Sequence, residues 1–295
     1  MNAAASDPHP FRAGLAILAA QVSVNLGAAL AKDLFATAGP EMVAALRTSL
    51  AALLLLVLVR PRPDRLAPAL LGWIALYGLA LGAMNLLIYE AIERLPIGVA
   101  VGIEICGPLA VALGASRSVR DLVWPLLAIA GLALLIPWPG RAHALDPAGL
   151  GAALGAATCW ALYILLGRRA ARAPGSTAVS LGMVTACLVT LPAALASGAS
   201  LPPAEAWGAV LGIALLSSVV PYLLEMRAMA RLPARVVGLI SSAAPAIAAL
   251  VGYAVLGETL TVLQALAIAL LIAAAAGCSL QARAPIARLR DDPLV

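Results

Sequence analysis

Charged residues fall in short clusters along this chain, and between the clusters run apolar stretches of about 18 to 23 residues, rich in Ala, Leu, Val and Gly. That is the length at which an α-helix covers roughly 30 Å of hydrocarbon. The stretches occupy about 13–31, 41–60, 67–92, 97–115, 122–138, 147–166, 177–196, 206–224, 236–256 and 260–280, which predicts ten spans. The apolar/polar alternation of barrel strands is absent, so the spans are helices. Between spans 2 and 3, the run Arg60, Pro61, Arg62, Pro63, Asp64, Arg65 is too charged and proline-rich to be anything but aqueous. Glu93, Arg94, Leu95 and Pro96 form a tight turn between spans 3 and 4.

Composition turns this pattern into a class. Of 295 residues, 63% are hydrophobic and 11% charged, with a mean hydropathy of +1.02. No soluble domain of ordinary composition has that balance, so the fold class is all-α integral membrane. The formal charge of +5 does not describe a nucleic-acid face, because the arginines sit in loops between spans. With a cytoplasmic N-terminus, fifteen of the nineteen basic residues lie inside, three (Lys32, Arg94, Arg141) outside, and Arg47 within span 2. This positive-inside bias predicts both termini in the cytoplasm. The first apolar run reads as a retained span rather than a signal peptide. Cys106, Cys159, Cys187 and Cys278 lie in apolar runs without paired spacing and read as small core residues.

An internal repeat is visible at one offset. Arg94, Leu95, Pro96 recurs as Arg231, Leu232, Pro233, 137 residues later, and the same shift carries Pro108 onto Pro245 and Lys32 onto Arg169. Spans 1–5 (residues 1–141) thus align with spans 6–10 (residues 142–295, including the tail). An odd number of spans per half forces the two copies to cross the bilayer in opposite senses. Two inverted five-helix repeats are the sequence mark of a secondary transporter with its site between the halves near the midplane.

Few polar residues enter the spans, and those few are the candidate site. Glu104 lies about seven residues, roughly 10 Å, below the outer end of span 4, and Arg47 about six residues below the outer end of span 2. A carboxylate at that depth needs a partner, a proton or a job. Two roles fit the pair: Glu104 on the ammonium and Arg47 on the carboxylate of a zwitterionic substrate, or a structural ion pair locking spans 2 and 4. Pro108 cannot donate to the carbonyl of Glu104, and Pro245 repeats the arrangement at Ser241 from the opposite half, either exposing carbonyls to a cavity or simply kinking the helices. Gln21 and Asn25 share one helix face and join Asn85, Trp160, Tyr163 and Tyr222 as candidate cavity-wall or helix-packing residues. Glu90 and Glu225 sit near span ends, where solvated or arginine-paired roles are expected. Glu104 has no acidic counterpart, since Ser241 occupies its equivalent position, so the first half should supply the charges and the second half shape and hydroxyls.

An intramembrane enzyme is the rival class. No Asp and no His lies within an assigned span, since His9 and His143 are in the tail and a loop. Metal clusters and Ser-His or Cys-His pairs are therefore unavailable at membrane depth, and neither a metal nor a cofactor is implied.

These residues resemble the drug/metabolite transporter superfamily in its ten-span branch of paired EamA-type domains. The likeness rests on Trp160, Ala161, Leu162, Tyr163 followed by Arg168 and Arg169, on Arg231, Leu232, Pro233 and Pro245, and on Leu256, Gly257, Glu258, Thr259, Leu260 and Gln264. A nearer likeness, to the threonine and homoserine exporters of bacterial inner membranes, rests on Gly27 to Phe35, Ala45 to Arg47, Gly82 to Asn85 and Glu104 to Leu113. The chain departs from that subfamily at Ala244, where an acidic residue is expected. The resemblance implies export of small amino acids from the cytoplasm, with protons as a candidate coupling ion, and export of other metabolites or drugs as the alternative.

Overall fold

Glycine and proline, rather than charge, divide the helices. The computed structural model describes residues 10–114, 123–135, 145–174, 176–229, 240–241 and 243–281. Helix α1 spans Pro10–Val59 and turns at Gly39, whose φ of 74° and ψ of 153° are not helical, before Pro40 opens its second segment. Only glycine enters that region without a Cβ penalty. Hydropathy predicts the first helix to end near Ala31. It instead continues towards Gly39, because Lys32 and Asp33 are compatible with a helix and the breaker comes later.

Helix α2 (Pro68–Arg94) starts with proline in its first turn, where the missing N–H is not needed. The predicted span 4 is two helices, α3 (Ile97–Glu104) and α4 (Cys106–Gly114), joined by a turn at Ile105. Helices α5 (Val123–Leu135), α6 (Pro147–Ala170) and α7 (Thr177–Ala196) follow. Asp146 caps α6 by accepting from the Ala148 N–H at 2.9 Å. The predicted span 8 is likewise interrupted: α8 (Trp207–Ala214) passes through a π-turn at Leu215–Val219 into α9 (Val220–Met229). Helix α10 (Ala244–Leu256) ends at Gly257 with φ 66°, and α11 is Val262–Gln281. Every regular element among the described residues is helical. The turn Arg231, Leu232, Pro233, the two histidines, and Arg117, Arg120, Arg141, Arg235, Arg283, Arg288 and Arg290 lie outside the described residues, as does the side chain of Cys278.

Five helices are long and apolar enough to cross a membrane, the first of them α1 with its internal bend. Large apolar side chains point outward, among them Leu188, Leu195 and Leu250, each more than two-thirds exposed. In water such a surface would be a liability, whereas in lipid it is the exterior. The chain is a multi-pass membrane protein. Lipid gives packed helices no hydrophobic drive, so contacts must be close. Helix α2 packs on α6 and α7, and the approach is so near that a Cβ on Gly82 would stand 2.6 Å from the carbonyl oxygen of Ala186. Helix α3 packs on α10 in the same way, with Gly98 against Ala249.

One polar tie joins three helix ends. Lys32 Nζ donates to Glu258 Oε1 at 2.6 Å and to the Leu95 carbonyl at 3.1 Å, while the Ile97 N–H donates to Glu258 Oε2 at 2.9 Å. Glu258 thereby caps the N-terminus of α3, where the helix dipole favours an anion.

Two outcomes follow from this packing. Gly82→Val lowers the folded fraction and the melting temperature in detergent, by about 1–3 kcal/mol of overpacking. Gly72→Ala, at a site with nothing within 4 Å, leaves both unchanged. Lys32→Ala strips Glu258 of its cation and costs about 1–3 kcal/mol, measured by thermal unfolding, and the exchange Lys32→Glu with Glu258→Lys does not recover it, because a lysine at 258 cannot accept from the Ile97 N–H.

Candidate functional site

A cavity of about 150 Å³ opens among α1, α2, α3, α6, α9 and the start of α10. Its position follows from local breaks in helical order. Pro108 has no N–H to offer the Glu104 carbonyl, α3 ends there, and Glu104 stands at the wall where the chain turns. The π-turn inserts an extra residue before α9 and rotates the following side chains, as such turns commonly do near functional sites.

Eight of the nine expected side chains meet in this cavity. Gln21, Asn25 and Arg47 come from α1, Asn85 from α2, Glu104 from α3, Trp160 and Tyr163 from α6, and Tyr222 from α9. Ser241 does not line it, and neither do Pro108 and Pro245, which lie beyond the helix breaks. Asn25 donates to the Gln21 carbonyl at 2.8 Å, one turn back along their shared face. Tyr163 accepts from the Tyr77 hydroxyl at 3.1 Å, with the rings 4.7 Å apart.

The two charges are buried and are not joined to each other. Arg47 is 5% exposed. Its Nη2 donates to Asn85 Oδ1, and its guanidinium carbon lies 4.7 Å from the Tyr89 ring centroid. Arg47 Nε and Asn85 Nδ2 have no hydrogen-bond partner. Glu104 is 8% exposed, and among the described residues it takes part in no hydrogen bond and no ion pair. The locking ion pair between spans 2 and 4 is therefore not formed.

Some wall residues have no counterpart in the sequence-level expectation. Glu225 lines the cavity, a place not expected for it from its position near a span end. Glu90, by contrast, is arginine-paired as expected, 3.8 Å from Arg94. Tyr89 and Ser217 also line the cavity, each with a buried hydroxyl that has no partner. Tyr89 reads as part of a span end beside Glu90, and a lone serine among small residues carries no distinguishing signal in the sequence. Among the described residues, no group of three or more His, Cys, Asp or Glu side chains is placed to hold a metal ion.

The fold and much of the sequence are shared with known proteins. Residues 147–280 match the EamA-like transporter family. The chain is 42% identical over 271 residues to the threonine/homoserine exporter RhtA of Escherichia coli (strain K12), covering 90% of this chain and 91% of that one. It is 42% identical over 270 residues to the protein of the same name in Salmonella typhimurium (strain LT2), covering 91% and 92%. A solved crystal structure, 22% identical, superposes with a TM-score of 0.62 over 91% of this chain and 98% of that one, which concerns the fold alone. Identity of this extent over nearly the whole chain places it, as a transporter and not an enzyme, in the EamA-like family of the drug/metabolite transporter superfamily, alongside the RhtA exporters.

Proposed function

We propose that this protein exports small amino acids, threonine and homoserine foremost, from the cytoplasm across the bacterial inner membrane by alternating access. The observation that carries the reading is one cavity whose wall holds a buried carboxylate and a buried guanidinium that form no ion pair with each other. A zwitterion completes both. Glu104 receives the ammonium group. The free donors Arg47 Nε and Asn85 Nδ2 receive the carboxylate, with Tyr89 holding the guanidinium in place. Gln21, Asn25, Trp160, Tyr163 and Tyr222 complete the wall. Size favours an amino acid over a drug: about 150 Å³ suits a guest of roughly benzene size, whereas drug-sized pockets begin at roughly 300 Å³. The names of the RhtA relatives agree with this substrate class.

The architecture we assign is ten spans in two inverted repeats, residues 1–141 and 142–295, with both termini cytoplasmic. Element boundaries support the 137-residue offset. Shifting Pro40–Val59, the second segment of α1, by 137 gives 177–196, the bounds of α7. Cavity-lining positions support it too: Met84, Asn85 and Ile88 of α2 shift onto Pro221, Tyr222 and Glu225 of α9, and all six line the cavity. In this orientation the Lys32–Glu258 tie closes the outer end, and its release is one half of the access cycle.

For coupling, Glu104 holds either a proton or the substrate ammonium, since an unpaired carboxylate at this depth is costly. Exchange of the two drives export against protons.

Purified protein in liposomes shows saturable threonine and homoserine uptake that is accelerated by counterflow. Flux that rises linearly with concentration is the result that would sink the carrier reading. Arg47→Lys lowers kcat/KM for amino acids about tenfold or more, because the two-point contact is lost. Glu104→Gln abolishes pH-driven uptake into inverted vesicles, and intact pH-driven uptake in that variant rules out the coupling scheme.

A further inference from the structure

Threonine and homoserine have one chemical feature in common beyond the zwitterion, a side-chain hydroxyl, and the cavity wall contains a buried hydroxyl with nothing to bond. Ser217 lies in the middle of the π-turn, is 3% exposed, lines the cavity, and its Oγ has no hydrogen-bond partner. Two neighbours fix its place. Ser23 donates to the Leu216 carbonyl at 2.7 Å, so the backbone group beside Ser217 is satisfied within the protein while the Ser217 hydroxyl is not. Gly27 of α1 packs directly on Ser217, at a point where any Cβ would collide with Oγ. The absence of a side chain there lets the π-turn seat against α1, with Ser217 in the cavity wall and its hydroxyl beside Gly27. A hydroxyl withdrawn from water and left unpaired is unfavourable, and a group of the same kind on the cargo relieves it.

We infer that Ser217 is the specificity residue of the transport site, exchanging a hydrogen bond with the side-chain hydroxyl of the amino acid, so that the protein selects hydroxylated short amino acids over their deoxy counterparts. This rests on the amino-acid export reading above. It adds a division of labour: Arg47, Asn85 and Glu104 recognise what all amino acids share, and Ser217 what only some have. Ser218, next in the same turn, is also buried with an unpaired hydroxyl but does not line the cavity. It therefore separates loss of a buried hydroxyl from loss of a contact with cargo.

The test uses 2-aminobutyrate, which is the deoxy analogue of both threonine and homoserine. In liposomes, the wild-type protein moves threonine and homoserine with kcat/KM at least tenfold above that for 2-aminobutyrate, since a site with a hydrogen-bonding group discriminates against an analogue that leaves the group unpaired. Ser217→Ala narrows the ratio to within about threefold, by losing the hydroxylated substrates and not the analogue. Ser217→Cys, close in size but a weak donor, falls between and decides the matter if the alanine variant does not reach the membrane. Ser218→Ala keeps the wild-type ratio. A wild-type ratio in Ser217→Ala, or equal loss of all three substrates, overturns the assignment and leaves amino-acid export standing. A wild-type protein that moves amino acids without preferring hydroxylated ones does the same. A wild-type protein that moves no amino acid overturns the export reading itself.

Discussion

A charged side chain at the depth of the hydrocarbon must meet water, a partner or a cargo, and this requirement governs how the helices of this protein are arranged. Arg47 and Glu104 are 5% and 8% exposed and do not pair with each other. Keeping two such groups apart requires a polar space between helices, and that space must be shielded from lipid on every side. Helices α1, α2, α3, α6 and α9 provide the shield. Asn85 and Tyr89 hold the guanidinium from the side of α2, which fixes α2 against α1. The close contacts at Gly78, Gly82 and Gly98 then let the remaining helices close around the cavity without large side chains between them.

Among the described residues, the breaks inside the predicted spans 4 and 8 fall beside the cavity. In lipid an unbonded carbonyl or N–H is expensive, so breaks are tolerated where protein or a polar cavity surrounds them. Ile105 interrupts span 4 immediately after Glu104, and the π-turn interrupts span 8 at Ser217. At the π-turn, Ser23 reaches across from α1 to bond the Leu216 carbonyl. The bend at Gly39–Pro40 separates the two segments of α1.

The parts of the structure that depend on hydropathy and on helix breakers were legible in the sequence. Thr177–Ala196 coincides with the predicted span 7, and the rarity of polar residues inside spans singles out Arg47, Glu104, Asn85, Gln21 and Asn25. What depends on three-dimensional register was not legible. Lys32 and Glu258 read as a topology charge and a motif residue, because 226 residues separate them and only the fold joins them. Ser217 reads as one small residue among many, and a π-turn has no composition of its own. Glu225 reads as a span-end charge because hydropathy locates a residue along the axis of a helix and says nothing of its rotation about that axis. Ser241, matched to Glu104 by the repeat offset, does not line the cavity, since a symmetric alignment transfers sequence position and not the side-chain environment.

That last point bears on how the two repeats proposed above would serve a substrate with two different ends. Asn85 and Tyr222 hold equivalent positions under the 137-residue offset, as do Ile88 and Glu225, and all four face the cavity. Positions related by the offset thus share the cavity while their chemistry differs: an amide is matched to a phenol and an aliphatic side chain to an acid. The expected division, with charges from the first half and only shape and hydroxyls from the second, is modified by Glu225, which adds an acid from the second half. An amino acid is itself asymmetric, with an ammonium, a carboxylate and a side chain in fixed relation. A symmetric pair of sites would bind it equally well in two opposed orientations. Breaking the symmetry at a few wall positions removes that ambiguity.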